Sequence, residues 1–202
     1  MNKEIQAGTE ADSSTTAELL PSANLAQNPM LAAVRCIDIE LAIFRLYDIR
    51  QHVIVPNVSD QMCLVPFETD MLVLTQSGYA TGFEIKVSKS DLLADLKKKQ
   101  YTRFNDKENS KVLQEFYYAK KFKHFYYAVP KHLEEVALSI IPEFVGLYVY
   151  EKYDYPKLPI FRKAKEAKKL KTESWREKDK IELMRLGTMR IYSLKLGVSY
   201  RS

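Results

Sequence analysis

The chain has little cysteine and no long apolar run, and each shortage excludes a class of protein. Its two cysteines, Cys36 and Cys63, have neither the spacing of zinc ligands nor the density of a disulfide-rich secreted domain. No stretch approaches the roughly 18 consecutive apolar residues of a membrane span. No apolar leader follows the first Met. We therefore expect a cytoplasmic protein of a reducing compartment with no membrane partner.

Charge is distributed unevenly along the 202 residues. Residues 157–202 carry 14 Lys and Arg against 5 acidic residues, a net charge of +9, whereas the whole chain carries +5. We expect a disordered tail at 1–28, where apolar residues are few, an α/β domain at 29–156, and a basic helical extension at 157–202. The basic extension favours a polyanion partner, although a solvated helix face has the same composition.

The hydrophobic pattern predicts a mixed α/β layer structure. A largely buried helix is expected over about 30–48, and residues 51–64 are expected to be a broken connection because they contain Pro56 and Asn57. The further expected elements are strands near 68–74, 80–87, 122–129 and 144–150, helices near 88–99, 112–118 and 132–138, and one or two basic helices over 159–196.

The two strands after position 68 are predicted to form a hairpin of defined register. Residues 76–78 suit a three-residue loop with Gly78 in the left-handed region, and this loop sets Asp70 opposite Glu84. Alternation along the strand puts Glu84 and Lys86 on one face. Three ionisable groups would then share one small patch.

Two carboxylates and a lysine on adjacent strands are typical of metal-assisted phosphodiester hydrolysis. Asp70, Glu84 and the Ile85 carbonyl, completed by water, form an oxygen ligand set that suits Mg²⁺ or Mn²⁺. The Lys86 ammonium would orient the attacking water or stabilise phosphate charge. Glu40, on the preceding helix, would add a carboxylate through water. A solvated charged face is the alternative, because a Glu-x-Lys triplet alone is weakly diagnostic.

At these residues the sequence resembles the PD-(D/E)XK nuclease superfamily. The run EIKVSKSDLLAD at 84–95, followed by HFYYAVP at 124–130, is similar to MmcB-like DNA-repair nucleases and to related phage and mobile-element proteins. The similarity covers about 31–151 and excludes both ends of the chain. Thr69 stands where the superfamily name has Pro.

The resemblance implies a restriction-endonuclease-like fold, with a mixed four-stranded sheet flanked by helices. It implies metal binding by Asp70 and Glu84, a catalytic role for Lys86, and Glu40 as the helix carboxylate. It also implies that Asp95, like Asp91, helps to shape the site, without assigning either a role.

Other basic and aromatic residues are candidates for contacts with nucleic acid. Five lysines of the C-terminal region could follow a phosphate backbone: Lys163, Lys165, Lys168, Lys169 and Lys171. The aromatic runs 116–118 and 125–127 could stack on bases, but their strand and helix positions favour core packing.

We therefore predict a metal-dependent endonuclease or exonuclease that uses Mg²⁺ or Mn²⁺ to hydrolyse DNA in repair or mobile-element processing. The alternative is a non-catalytic nucleic-acid-binding module that keeps the nuclease fold. A third interpretation is an interaction domain for an acidic protein. RNA is an alternative substrate, and the sequence leaves the oligomeric state, a homodimer included, open.

Overall fold

The computed structural model describes residues 33–59, 64–95, 110–152 and 159–197, with 110–114 described as backbone only. The tail expected at 1–28 lies outside these residues. Within them, no helix combines the length and apolar character needed to cross a membrane.

Helices cover both faces of a mixed sheet that has six strands among the described residues. The strands are β1 (Val53–Val58), β2 (Thr69–Leu74), β3 (Ala80–Ile85), β4 (Phe122–Pro130), β5 (Gly146–Glu151) and β6 (Ile160–Lys165). The helices are α1 (Cys36–Leu46), α2 (Lys89–Asp95), α3 (Ser110–Ala119), α4 (Glu134–Ile140) and α5 (Glu177–Lys195). A 3₁₀ turn at Lys131–Leu133 joins β4 to α4.

The strands lie side by side in chain order. The central strands β3, β4 and β5 are parallel, whereas β1, β2 and β6 join the sheet through antiparallel pairs. Parallel neighbours require crossover connections, and the path from β3 to β4 includes α2 and α3. The carboxyl ends of β3 and β4 therefore lie at the same end of their strands in the sheet, where α2 begins.

The expected four-stranded sheet is wrong, because β1 and β6 extend the sheet at its two edges. Pro56 lies in β1, and an edge strand tolerates proline because one side of its backbone needs no ladder hydrogen bond. The basic strand β6 shows no alternation between buried and exposed residues, and lysines are common on edge strands. The helices expected over 159–196 are accordingly wrong for Ile160–Lys165, and the helix α5 begins at Glu177.

Each face of the sheet has its own core. On one face, Ile39 and Ile43 of α1 pack with Phe83 and Tyr126. On the other, the sheet packs against α2, α3, α4 and α5 through residues that include Leu72, Phe125, Leu92, Tyr118, Ala137 and Leu183. The helix α1 is less buried than expected, since Ile37 and Leu41 are 43% and 45% exposed.

The predicted hairpin register is confirmed by the pairing of β2 with β3. Met71 pairs with Phe83 and Leu74 with Ala80, the register that continues to Asp70 opposite Glu84. Gly78 has a φ of +80°, a conformation that favours glycine. The backbone N–H of Gly78 donates to the Thr75 carbonyl at 2.9 Å, which closes the turn.

Most residues of the two aromatic runs pack in the cores, as expected. Tyr118, Phe125, Tyr126 and Tyr127 are each at most 3% exposed. Phe116 differs, since 64% of its surface is exposed.

Candidate active site

The candidate site lies where β3 ends and the chain turns towards α2. Asp70 is near the start of the antiparallel strand β2, Glu84 is the penultimate residue of β3, and Lys86 follows that strand. Alternation puts Phe83 and Ile85 in the core under α1, so Glu84 and Lys86 point to the opposite face. The register of β2 and β3 therefore brings Asp70, Glu84 and Lys86 to one patch, as the sequence predicts.

Asp70 is tied to β3 through its side chain. The Ile85 backbone N–H donates to Asp70 Oδ2 at 2.7 Å. This hydrogen bond fixes the direction of the carboxylate beside the strand that carries Glu84. The Lys86 backbone N–H donates to the Ala128 carbonyl of β4 at 3.1 Å, so the Ile85 carbonyl of the same trans peptide group, the predicted metal ligand, points away from β4.

The centre of the site is a buried ion pair. Lys86 Nζ donates to Glu84 Oε1 at 2.6 Å, and both side chains are 6% exposed. Lys86 Nζ also lies 3.6 Å from Asp95 Oδ1. The Tyr127 hydroxyl donates a hydrogen bond to Asp95 Oδ2. Lys86 is thus held between two carboxylates, one of which is held by a tyrosine.

Burial and the neighbouring charges shift the pKa values of Glu84 and Lys86. The pKa of Glu84 is raised to about 7, chiefly by burial and further by Asp70 and Asp95, while Lys86 opposes the rise. Burial is also the largest influence on the pKa of Lys86 and lowers it, but Glu84, Asp95 and Asp70 together outweigh burial and raise that pKa. Lys86 is therefore a cation at neutral pH, surrounded by more carboxylates than it can neutralise.

Asp95 and Tyr127 are the site residues to which the sequence assigned no role. Asp95 is 1% exposed at the end of α2, and Tyr127 pairs with Glu84 in the parallel register of β3 and β4. Asp95 is three residues after Leu92, and this i, i+3 spacing places both on the buried face of α2, although an ionisable residue is unusual at such a position. Tyr127 has the alternation expected of a core aromatic residue, and only its hydroxyl distinguishes it.

Glu40 lies in the first half of α1. Its helix α1 covers the sheet face opposite to Glu84, and Glu40 Oε1 accepts a hydrogen bond from Cys36 Sγ at 3.4 Å. Burial raises the pKa of Cys36 to about 12, with smaller influences from Glu40, Asp70 and Lys86. The first turns of α1 therefore lie within electrostatic range of the site, and a role for Glu40 through water stays a prediction.

A divalent cation fits the oxygen donors at this site in part. Asp70 and Glu84 come from adjacent strands and, with the Ile85 carbonyl, would supply three protein ligands. Mg²⁺ commonly keeps several waters, so three ligands are enough for it. Within the part of the chain that the structure describes, no three His, Cys, Asp or Glu side chains are grouped to hold an ion. Asp95, the third carboxylate, is instead engaged by Lys86 and Tyr127.

The five predicted nucleic-acid-binding lysines do not have equivalent surroundings. Lys163 pairs with Glu166 at 2.8 Å, and Lys168 pairs with Glu115 at 2.8 Å. Lys165 Nζ donates to a backbone carbonyl, that of Pro142, at 3.0 Å. The two remaining lysines, Lys169 and Lys171, are exposed. A phosphate backbone would have to compete with internal partners at the first three positions.

Comparisons with known proteins add little to this geometry. No family model and no curated protein matches the chain. Among solved structures, the chain is similar to a protein of unknown function from Silicibacter pomeroyi, with 17% identity and a TM-score of 0.47. The match covers 81% of this chain and 94% of that chain. It carries no argument about function, and the resemblance to PD-(D/E)XK nucleases stays a prediction.

Proposed function

We propose that the protein is a metal-dependent nuclease that hydrolyses phosphodiester bonds of DNA, with its active site at Asp70, Glu84 and Lys86. The observation that carries this proposal is the cluster of three carboxylates, with Asp95 the third, around one buried ammonium. A cluster with this excess of negative charge would be neutralised by a divalent cation. Oxygen donors of this kind suit Mg²⁺ or Mn²⁺.

In this proposal the chain's own residues bind and orient the reactants. Asp70, aligned by its hydrogen bond from Ile85, and Glu84 would hold the metal, which when bound supplies Lewis acidity at the phosphate. Lys86 would exchange part of its interaction with Glu84 for a contact with the attacking water or the phosphate. Asp95 and Tyr127 would keep the ammonium at this position while that exchange occurs.

The second candidate is a non-catalytic nucleic-acid-binding module. The observation that favours it is that Glu84 and Lys86 are both buried and paired with each other. An ion pair so enclosed can serve the fold alone, as buried pairs do in proteins without a reaction at that position. The basic residues would then bind the phosphate backbone without cleavage.

Cleavage of labelled single-stranded, duplex and branched DNA, with RNA of the same sequence, would separate the two candidates. The purified full chain is tested with Mg²⁺, with Mn²⁺ and with EDTA. We expect cleavage that requires metal and is abolished in the near-isosteric variants Asp70→Asn and Glu84→Gln. Glu135→Gln is the matched control, because Glu135 is an exposed carboxylate in the helix α4.

A metal-binding measurement makes the result independent of the choice of substrate. Bound Mn²⁺ should raise the melting temperature of the wild type and of Glu135→Gln, but not that of Glu84→Gln, because ligand binding to the folded state stabilises it. Salt-sensitive DNA binding with neither cleavage nor a metal-dependent melting shift would select the non-catalytic module. Cleavage that persists in Glu84→Gln would remove the proposed site.

A further inference from the structure

The C-terminal helix α5 has two faces of different character. Its inner face packs on the sheet through Leu183 and Leu186, which are 0% and 5% exposed. Arg190 Nη2 also donates to the Asn57 carbonyl of β1 at 2.7 Å. Its outer face carries Ile181, Met184 and Ile191, and between 47% and 59% of each of these side chains is exposed. Exposed apolar residues repeated along one helix face indicate a contact surface.

The outer face has the spacing of a two-helix seam. The residues at alternating intervals of four and three are Glu177, Ile181, Met184, Thr188, Ile191 and Lys195. This is the a and d pattern of a heptad repeat, carried over the 19 residues of α5. Thr188 fits within such a seam because its hydroxyl already donates to the Met184 carbonyl at 3.1 Å. A helix of this length is about 28 Å long, enough for four to five turns of contact.

The order of residues along this outer seam favours an antiparallel second copy of α5 as the partner. The intervals are the same in both directions, so an antiparallel copy would place Ile181 against Ile191 and Met184 against Thr188 of the other chain. At each end of the seam, Glu177 would face Lys195 of the other copy. A parallel pairing would instead oppose like charges at both ends, which is unfavourable.

We propose that α5 pairs with α5 of a second copy of this chain, antiparallel and around a two-fold axis. Such a contact is isologous: both copies contribute the same surface of α5. The assembly therefore closes as a dimer. Tyr192, which is 64% exposed beside Ile191, would extend the apolar contact on one flank. This inference does not depend on the chemistry proposed for Asp70, Glu84 and Lys86.

Sedimentation velocity of the full chain, from low to high micromolar concentration, tests the proposal. We expect the wild type to be a dimer. The single variants Ile181→Glu and Ile191→Lys should each weaken self-association by about 100-fold or more, because each dimer would bury two unpaired charges. Ile49→Glu is the matched control. Ile49 is 61% exposed, similar to Ile181 and Ile191, but it lies outside α5.

Mixing the two variants tests the register. Glu at 181 of one copy would then face Lys at 191 of the other, while the second pair stays Ile against Ile, so an equimolar mixture should form a heterodimer. Circular-dichroism melting should show that both variants are folded. Should either unfold, hydrogen exchange in wild-type α5 that slows with rising protein concentration supports the same conclusion.

Three results would overturn the proposal. One is a wild type that stays monomeric at the highest concentration. This includes the case in which the monomer uses α5 to bind DNA or another protein. Another is dimerisation that survives both single variants. The third is a mixture of the two variants that does not associate.

Discussion

Lys86 Nζ lies 2.6 Å from Glu84 Oε1, and both side chains are more than nine-tenths buried. A buried pair of this kind is costly to break from one side, because the remaining charge loses its partner. It is much less costly to replace as a whole. The stability of the candidate site is therefore expected to depend on the balance of its charges more than on any one residue.

Removing the ammonium alone should destabilise the fold. In Lys86→Met, Glu84 and Asp95 face each other without a counter-charge, and we expect the free energy of unfolding at pH 7 to fall by about 3 kcal/mol. The double variant Glu84→Leu/Lys86→Met should recover at least half of this loss. Urea denaturation measures both. Equal stability of Lys86→Met and the wild type would show that the pair does not bear on folding.

Asp95 is expected to act on catalysis through Lys86. If the proposed nuclease activity is found, Asp95→Asn should lower kcat by about 10- to 100-fold, the range typical of residues that orient a catalytic group. KM for DNA should change little, because Asp95 is 1% exposed and does not reach the substrate. If Asp95 only stabilises the fold, Asp95→Asn should lower the melting temperature and leave kcat of the folded protein unchanged.

Tyr127→Phe provides the milder version of the same test. It keeps the aromatic ring in the core and removes only the hydroxyl that donates to Asp95. Tyr148→Phe is the control, since Tyr148 is also buried but packs in the core on the α1 side of the sheet. We expect kcat to fall in Tyr127→Phe and not in Tyr148→Phe. Equal rates in the two variants would argue against a positioning role for the Asp95 and Tyr127 pair.

The central part of the fold could be predicted from local rules, whereas its edges could not. Alternation and the Gly78 turn were sufficient for the register of β2 and β3, because both act between neighbours in the chain. Among the described strands β1 and β6 lie at the edges, where Pro56 of β1 is tolerated because no described strand pairs with its outer side, and where basic residues such as those of β6 are common. Their strand character comes from the neighbour that they pair with, and this cannot be read from their composition.

The candidate site shows the same division. Asp70, Glu84 and Lys86 are related by one hairpin, so their proximity follows from register. Asp95 and Tyr127 are 32 positions apart, and their hydrogen bond depends on how α2 packs against β4. Periodicity assigns a residue to a face, but it does not show which buried polar groups on that face meet.

The exposed lysines of the C-terminal region should contribute to DNA binding through phosphate charge alone. Lys169→Ala/Lys171→Ala should reduce the slope of log affinity against log salt by about 0.9 for each phosphate that the protein no longer neutralises. Lys152→Ala is a suitable control, because Lys152 is exposed but lies outside the C-terminal region. Fluorescence anisotropy with labelled duplex DNA at several salt concentrations measures the slope. An unchanged slope in the double variant would remove these two lysines from the interface.

Asp179 should make the stability of the protein depend on pH. It is 8% exposed, accepts hydrogen bonds from Arg176 and Lys121, and these interactions lower its pKa below the ordinary value of 3.8. The ionised form therefore stabilises the folded state above that ordinary value, and the contribution is lost as the pH falls through the lowered pKa. Asp179→Asn should lower the free energy of unfolding at pH 7 by about 2 kcal/mol.

Urea denaturation from pH 7 down to pH 3 tests this sign. The gap between wild type and Asp179→Asn should be constant at neutral and mildly acidic pH and should narrow only at the acidic end. Glu182→Gln is the control on the same helix, since Glu182 pairs with the exposed Arg185 and such surface pairs contribute little. A gap that widens as the pH falls would contradict the assignment.

Gly78 should be replaceable only by residues that accept a left-handed backbone. Its φ is +80°, and a Cβ atom added there would lie 3.3 Å from Ser174 Cβ. Gly78→Ala should cost about 1–2 kcal/mol, the cost of this conformation for an L-residue. Gly78→Asn should cost less, because asparagine adopts it more readily. If steric contact with Ser174 dominated instead, the larger asparagine would be the more destabilising of the two, so comparing their urea midpoints distinguishes backbone strain from crowding.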